Sequence, residues 1–199
     1  MPRYLFRPVD EKDHSLGDED APACVVFYGD FACAQSGSAH VVLASMRDFF
    51  GAQMRIVFRN FPQSQTHPLA LGAAVAAECA GLQNKFWEMH DALFEHPGAL
   101  EERHLLSYAR RLALDVDKFE RSFRNETMLG RIKADFSGGV RSGVDGTPAL
   151  FINGQRYEGL VEEEALVAAI DDHIASRTDR AAAILGGIGR TSPLPDSTR

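Results

Sequence analysis

Apolar positions form one short unbroken run, Val25-Val26-Phe27-Tyr28, before Gly29 and Asp30 interrupt it. The run is β-branched and aromatic, the composition of a strand covered on both faces, so it predicts a strand over 24–28. Beyond the break, Val41, Val42, Ala44, Met46 and Phe49 recur at helical spacing. They predict a helix over 35–50, with Gly51 as its stop. Met54, Ile56 and Phe58 then alternate with Gln53, Arg55 and Val57, which predicts a second strand over 53–61. Strand, helix and strand in this order make a βαβ unit with parallel strands and a right-handed crossover.

Pro62 ends the second strand, and the period changes to 3.6. A helix is expected from Thr66 or His67, with Pro68 in its first turn. Ala70, Ala73, Ala74, Val75 and Ala77 fill it and Gly81 closes it. Asn84 is placed to cap the next helix, which carries Phe86, Trp87, Met89, Leu93 and Phe94. Further helices are anchored by Leu105, Ala109 and Leu112, by Phe119 and Phe123, and by Met128, Ile132, Phe136 and Val140. The chain then returns to strand: Asn153-Gly154 between two short runs is a strong hairpin signal. An amphipathic helix over 162–174 closes the pattern. Residues 8–20 read as an irregular lead-in, and 177–199 as a mobile tail.

This pattern describes an α/β chain in which a helical block over about 66–141 interrupts one sheet. The sheet is incomplete on either side of the block, so the expected organisation is one domain over 8–176, its core at 22–62 and 142–176. Composition narrows the function classes. A formal net charge of −7 without basic clusters argues against nucleic acid as partner. No apolar run reaches membrane-spanning length. The first residues lack a signal-peptide stretch, and three cysteines in no spacing pattern make no disulfide framework, so the expected setting is cytoplasmic and reducing. No metal site is expected, because the cysteines lack ligand spacing and the seven histidines are scattered.

Cys33 is the candidate nucleophile. It stands where a strand hands over to a helix, and the unpaired N–H groups and dipole of a helix N-terminus favour an anion there. That setting turns a thiol into a nucleophilic thiolate with its sulfur near the surface. Ser36 lies one turn on, where a hydroxyl can donate to the thiolate but cannot form a disulfide. Cys24 sits about 15–20 Å away along the strand, beyond the roughly 7 Å that a disulfide allows between Cα atoms. Cys79 reads as a core residue, and His40, seven residues past Cys33, as structural. Asp30, just upstream of Cys33, is a candidate proton acceptor beneath the site.

The segment Asp30-Phe31-Ala32-Cys33-Ala34-Gln35-Ser36-Gly37 resembles the active-site segment of the DsbA-like branch of the thioredoxin superfamily. Phe58-Arg59-Asn60-Phe61-Pro62, Thr66-His67-Pro68, the run from Gly81 to Asp91, and Gly146-Thr147-Pro148-Ala149 resemble its later landmarks in order. The resemblance implies a thioredoxin-like fold with a helical bundle inserted between the βαβ unit and a C-terminal ββα unit. It also implies a cis bond before Pro148, although an isolated X-Pro bond is ordinarily trans. Thr147 and Pro148, facing Cys33, would then bind an extended substrate strand together with Ala34 and Gln35. The second cysteine of the family's Cys-x-x-Cys is Ser36 here, so the usual dithiol chemistry does not carry over.

The expected function is thiol–disulfide exchange through Cys33 alone on protein or peptide thiols and disulfides. No bound cofactor is expected, and glutathione is the natural external thiol. Two other readings stay open: a redox-inactive module that binds extended peptides, and a glutathione-transferase-like activity using Cys33 or Ser36.

Overall fold

The computed structural model describes residues 3–125 and 128–188, with side chains as far as 178. The βαβ unit forms as the pattern implies: β2 over Ala23–Gly29, α1 over Ala34–Phe50 and β3 over Met54–Asn60. The two strands pair in parallel along their whole length, from Ala23 opposite Met54 to Gly29 opposite Asn60. Gly51, at φ 53, closes α1 by donating its N–H to the Arg47 carbonyl.

The lead-in is not irregular throughout. It contains β1, His14–Leu16, which pairs antiparallel with β3 at the sheet edge. Three polar-flanked residues carry no readable period, so this strand exists only because β3 offers it an edge. On the other side, β4 (Ala149–Ile152) pairs antiparallel with β2, and β5 (Gln155–Tyr157) pairs antiparallel with β4. The sheet order is β1-β3-β2-β4-β5. Asn153 and Gly154 turn the hairpin with φ of 49 and 81, the left-handed values an Asn-Gly pair tolerates.

Between β3 and β4 lie five helices: α2 (Ala70–Gly81), α3 (Phe86–Glu95), α4 (Glu102–Arg111), α5 (Val116–Arg124) and α6 (Leu129–Arg141). α2 starts later than Thr66 or His67, because Thr66 and His67 both donate to the Gln63 carbonyl in a separate turn. Asn84 does not cap α3. It adopts φ 59 in the turn after α2, and Lys85 stands at the N-cap. The closing helix α7 runs over Glu163–Ile188, well past the predicted 174. The tail expected over 177–199 is therefore helical as far as Ile188, and 189–199 lie outside the described residues.

Both sheet faces are buried. Val25, Phe27, Ile56 and Phe58 face α1, α2, α3 and α7, with Phe27 and Phe58 edge-on at 5.3 Å. Val26, Tyr28, Val57 and Phe151 face the other way, against Phe61, Val144 and the segment carrying Leu5 and Val9. Burial on both faces explains why β2 reads as a continuous apolar run instead of an alternating one. This rigid double-sided packing fixes the end of β2, from which the site is built.

Candidate active site

β2 passes through Asp30, Phe31 and Ala32 to Cys33, which occupies the N-cap of α1 with φ −88 and ψ 119. The Cys33 N–H donates to the Asp30 carbonyl at 3.0 Å, and its own carbonyl accepts from Gly37 at 3.1 Å, the first bond of the helix. The Cys33 side chain makes no capping bond, and the first turn of α1 holds no acidic residue. The amide end of the helix therefore carries no side-chain cap from its own first turn.

Two acceptors surround that sulfur. Sγ lies 3.2 Å from Gln35 Oε1 and 3.3 Å from the Thr147 carbonyl oxygen, and its single S–H donates to one at a time. The Thr147–Pro148 peptide is cis. Cys33, Gln35 and the Thr147-Pro148 loop are therefore brought together, and Ala34 and Gln35 are exposed beside them. Cys33 itself is not at the surface as expected: it is only 4% exposed. Gln35 and Thr147 both contact the sulfur and contribute to its cover.

Ser36 sits apart from its predicted contact. It is fully buried, and its hydroxyl oxygen accepts from the Asp30 N–H at 3.3 Å. No hydrogen bond to the Cys33 sulfur forms among the described residues. Ser36 holds the loop before Cys33 to the first turn of the helix.

Sequence reasoning placed Asp30 beneath the site but missed the partners it finds there. The buried Asp30 carboxylate accepts from the Ala32 N–H at 2.8 Å through Oδ1. Through Oδ2 it accepts from the Gln63 N–H at 2.9 Å and meets His67 Nδ1 at 2.8 Å. Gln63 Oε1 accepts in turn from the Thr147 hydroxyl at 3.0 Å. Asp30, Gln63 and His67 thereby tie the Cys33 loop to the Thr147 loop. Nothing local to Gln63 signals this; His67 belonged to a landmark segment but had no readable partner.

The remaining thiols are unpaired and stand away from this chemistry. Cys24 is half-buried on β2, and burial pushes its thiol up. Cys79 is buried in α2, where burial, with Glu78 adding to it, pushes the thiol to about 12. Beside the site, Phe61, Gln63, Leu71, Ile132, Phe136 and Val140 line a largely apolar cleft of about 750 Å³. Gln63 joins that cleft to the Thr147 loop.

A family model described as Thioredoxin matches residues 9–172. The chain belongs to this family. Within it, the thioredoxin-family chain has the DsbA-like form, an α/β fold with its helical block between β3 and β4. The oxidised BdbD of Bacillus subtilis superposes with a TM-score of 0.78 at 19% identity, covering 88% of this chain and all of that one. A thioredoxin-like oxidoreductase from Silicibacter pomeroyi DSS-3 is 26% identical with a TM-score of 0.73, covering 82% of this chain and 92% of that one. In sequence, the Na(+)/H(+) antiporter NhaA 1 of Salinispora arenicola is 43% identical over 172 residues, which is 86% of this chain and 26% of the antiporter. The Na(+)/H(+) antiporter NhaA 1 of Mycobacterium sp. (strain KMS) is 36% identical over 170 residues, 84% of this chain and 28% of that protein. This thioredoxin-family chain thus spans about a quarter of the length of the curated relatives it matches. Among the described residues, no helix is long and apolar enough to cross a membrane.

Proposed function

We propose that the chain is a thiol–disulfide oxidoreductase that works through Cys33 alone. The observation that carries this reading is the placement of the Cys33 sulfur at the bare N-terminus of α1, 3.3 Å from the carbonyl before Pro148. In the first step the Cys33 thiolate attacks the cysteine-derived disulfide of a glutathionylated peptide at the glutathione sulfur. The Cys33–glutathione bond forms, the old S–S bond breaks, and the peptide leaves as a thiolate that takes a proton from water. A second glutathione thiolate then attacks the adduct, releasing oxidised glutathione and restoring Cys33. An outside thiol is needed because Ser36 cannot supply the second sulfur. The peptide's extended backbone would pair with Thr147, and its apolar side chains would enter the cleft of Phe61 and Phe136. A reducing, cytoplasmic setting belongs to this reading and is supported by three free thiols.

The test is turnover of a glutathionylated peptide with excess glutathione. Loss of turnover in Cys33→Ser supports the enzyme, and Ser36→Cys is expected to add dithiol exchange. Wild-type protein that binds the peptide without turnover, and equally after Cys33→Ser, supports a second reading. In that reading the groove is a binding module, which the coverage of Cys33 by Gln35 and Thr147 favours. In either case the relatives' names suggest a larger context, a thioredoxin unit serving a cation–proton antiporter.

A further inference from the structure

α1 and α3 pack against each other, and their contact brings His40 to the adjacent pair His90 and Asp91. His40 comes from α1, and His90 and Asp91 from α3. One potential ligand atom from each lies within 4.8 Å of the others. We propose that His40, His90 and Asp91 form a binding site for one divalent transition-metal ion of the zinc class, independent of the reaction at Cys33.

The donor set suits such an ion: two imidazoles and a carboxylate are ligands that zinc, cobalt and nickel accept. Asp91 Oδ1 lies 2.9 Å from His90 Nδ1 and 3.9 Å from His40 Nε2. Tetrahedral ligands at metal distances of about 2.1 Å sit roughly 3.4 Å from one another, between these two values. Asp91 is half exposed, so its side chain can make the small adjustment and leaves a fourth position open to water.

A small cavity, about 30 Å³, is lined by His40, His90, Asp91, Arg47, Trp87 and Phe58 among others. That is room for one ion or one water. His90 is buried, and its Nδ1 faces Asp91 Oδ1. The rings are held in place: His40 stacks on Phe94 at 4.9 Å, and His90 packs edge-on against Phe31, Phe58 and Phe94. Arg47 opposes a cation here, and the carboxylates of Asp91 and Glu95 offset it. A bound ion would staple α1, the helix that Cys33 begins, to the helical block.

Trp87 is the chain's single tryptophan, and its ring lies 4.9 Å from His90. Its fluorescence therefore reports on the cavity directly. The full chain is titrated with Co²⁺ and with Zn²⁺, following Trp87 emission and, for Co²⁺, visible absorption. The expected result is one ion per chain, a Trp87 response, and cobalt bands without the charge-transfer signature of sulfur ligation. His40→Ala and Asp91→Asn should each weaken binding by about tenfold or more, the scale carried even by residues that merely support a ligand. His104→Ala, on another helix, should leave binding unchanged. No saturable binding overturns the proposal. So does binding that survives His40→Ala and Asp91→Asn together, or that shows sulfur ligation.

Discussion

Cys33 and Gln35 are two positions apart, and their contact helps to cover the thiol. The Gln35 carboxamide oxygen is 3.2 Å from Sγ while the rest of that side chain is exposed. A neutral hydrogen bond contributes about 1 kcal/mol net, roughly a fivefold preference for the covered arrangement. Gln35→Ala is therefore expected to raise the rate of Cys33 alkylation by iodoacetamide about fivefold, with the fold's thermal stability unchanged. An unaltered or slower rate would show that the Thr147 loop, and not Gln35, governs access. Cys33 was legible in the sequence because the strand-break-helix pattern around it is local. Its cover was not, since Thr147 arrives from the far end of the chain.

At the scale of elements, the approach of α6 to the sheet depends on a residue without a side chain. A Cβ at Gly139 would lie 2.8 Å from Phe61 Cδ2 and 3.0 Å from Tyr28 Cε1, both rings packed in the core. Gly139→Ala should cost about 1–3 kcal/mol by overpacking, even though alanine favours helix by up to about 1 kcal/mol. Gly130, on the same helix, has open space around its Cβ direction. Gly130→Ala should be neutral or stabilising by about 0.5 kcal/mol. Urea unfolding of the two variants checks both signs. If Gly139→Ala were as stable as wild type, the close helix–sheet contact would be wrong. The helices themselves were readable from their apolar stripes, whereas β1 was not, because its three residues are strand only by virtue of pairing with β3.

Across the whole molecule, charged groups are buried where the N-terminal segment, β3 and α6 meet. All five donors of the Arg59 guanidinium are used: two on Asp13, and one each on the Arg7 carbonyl, the Pro8 carbonyl and the Tyr28 hydroxyl. Burial alone would raise the Asp13 carboxyl, but hydrogen bonds from Arg59 and the Asp10 backbone, with the charges of Arg59 and Arg7, hold it below the usual range. Asp135 receives Arg7 at 2.9 Å and the Asn60 N–H at 3.1 Å. There burial dominates, and with Glu78 it pushes the carboxyl from 3.8 to about 6. An acid raised on folding binds its proton more tightly in the native state, so its contribution to stability falls as pH rises from about 4 to 6. Relative to Asp135→Asn, the wild type should lose up to about 3 kcal/mol over that window, at about 1.4 kcal/mol per unit. Paired urea unfolding curves between pH 4 and 7 measure the difference; a stability that climbs with pH instead would mean that Arg7 and Asn60 outweigh burial.

The sequence by itself determined most of the elements and the place of Cys33 between a strand and a helix. The βαβ unit, the five helices between strands, the Asn153-Gly154 turn and Cys33 before a helix all follow from periods and breaks within a few residues. Such signals come from local backbone preference and from the need to bury one face of each element. The tertiary structure alone decided which polar groups meet: Asp30 with Gln63 and His67, Gln63 with Thr147, Arg59 with Asp13, and His40 with His90 and Asp91. A buried polar side chain must find a partner, but nothing in its own neighbourhood names one. The partner is chosen by how the helices pack, and that choice is made by apolar surface far from the groups it brings together.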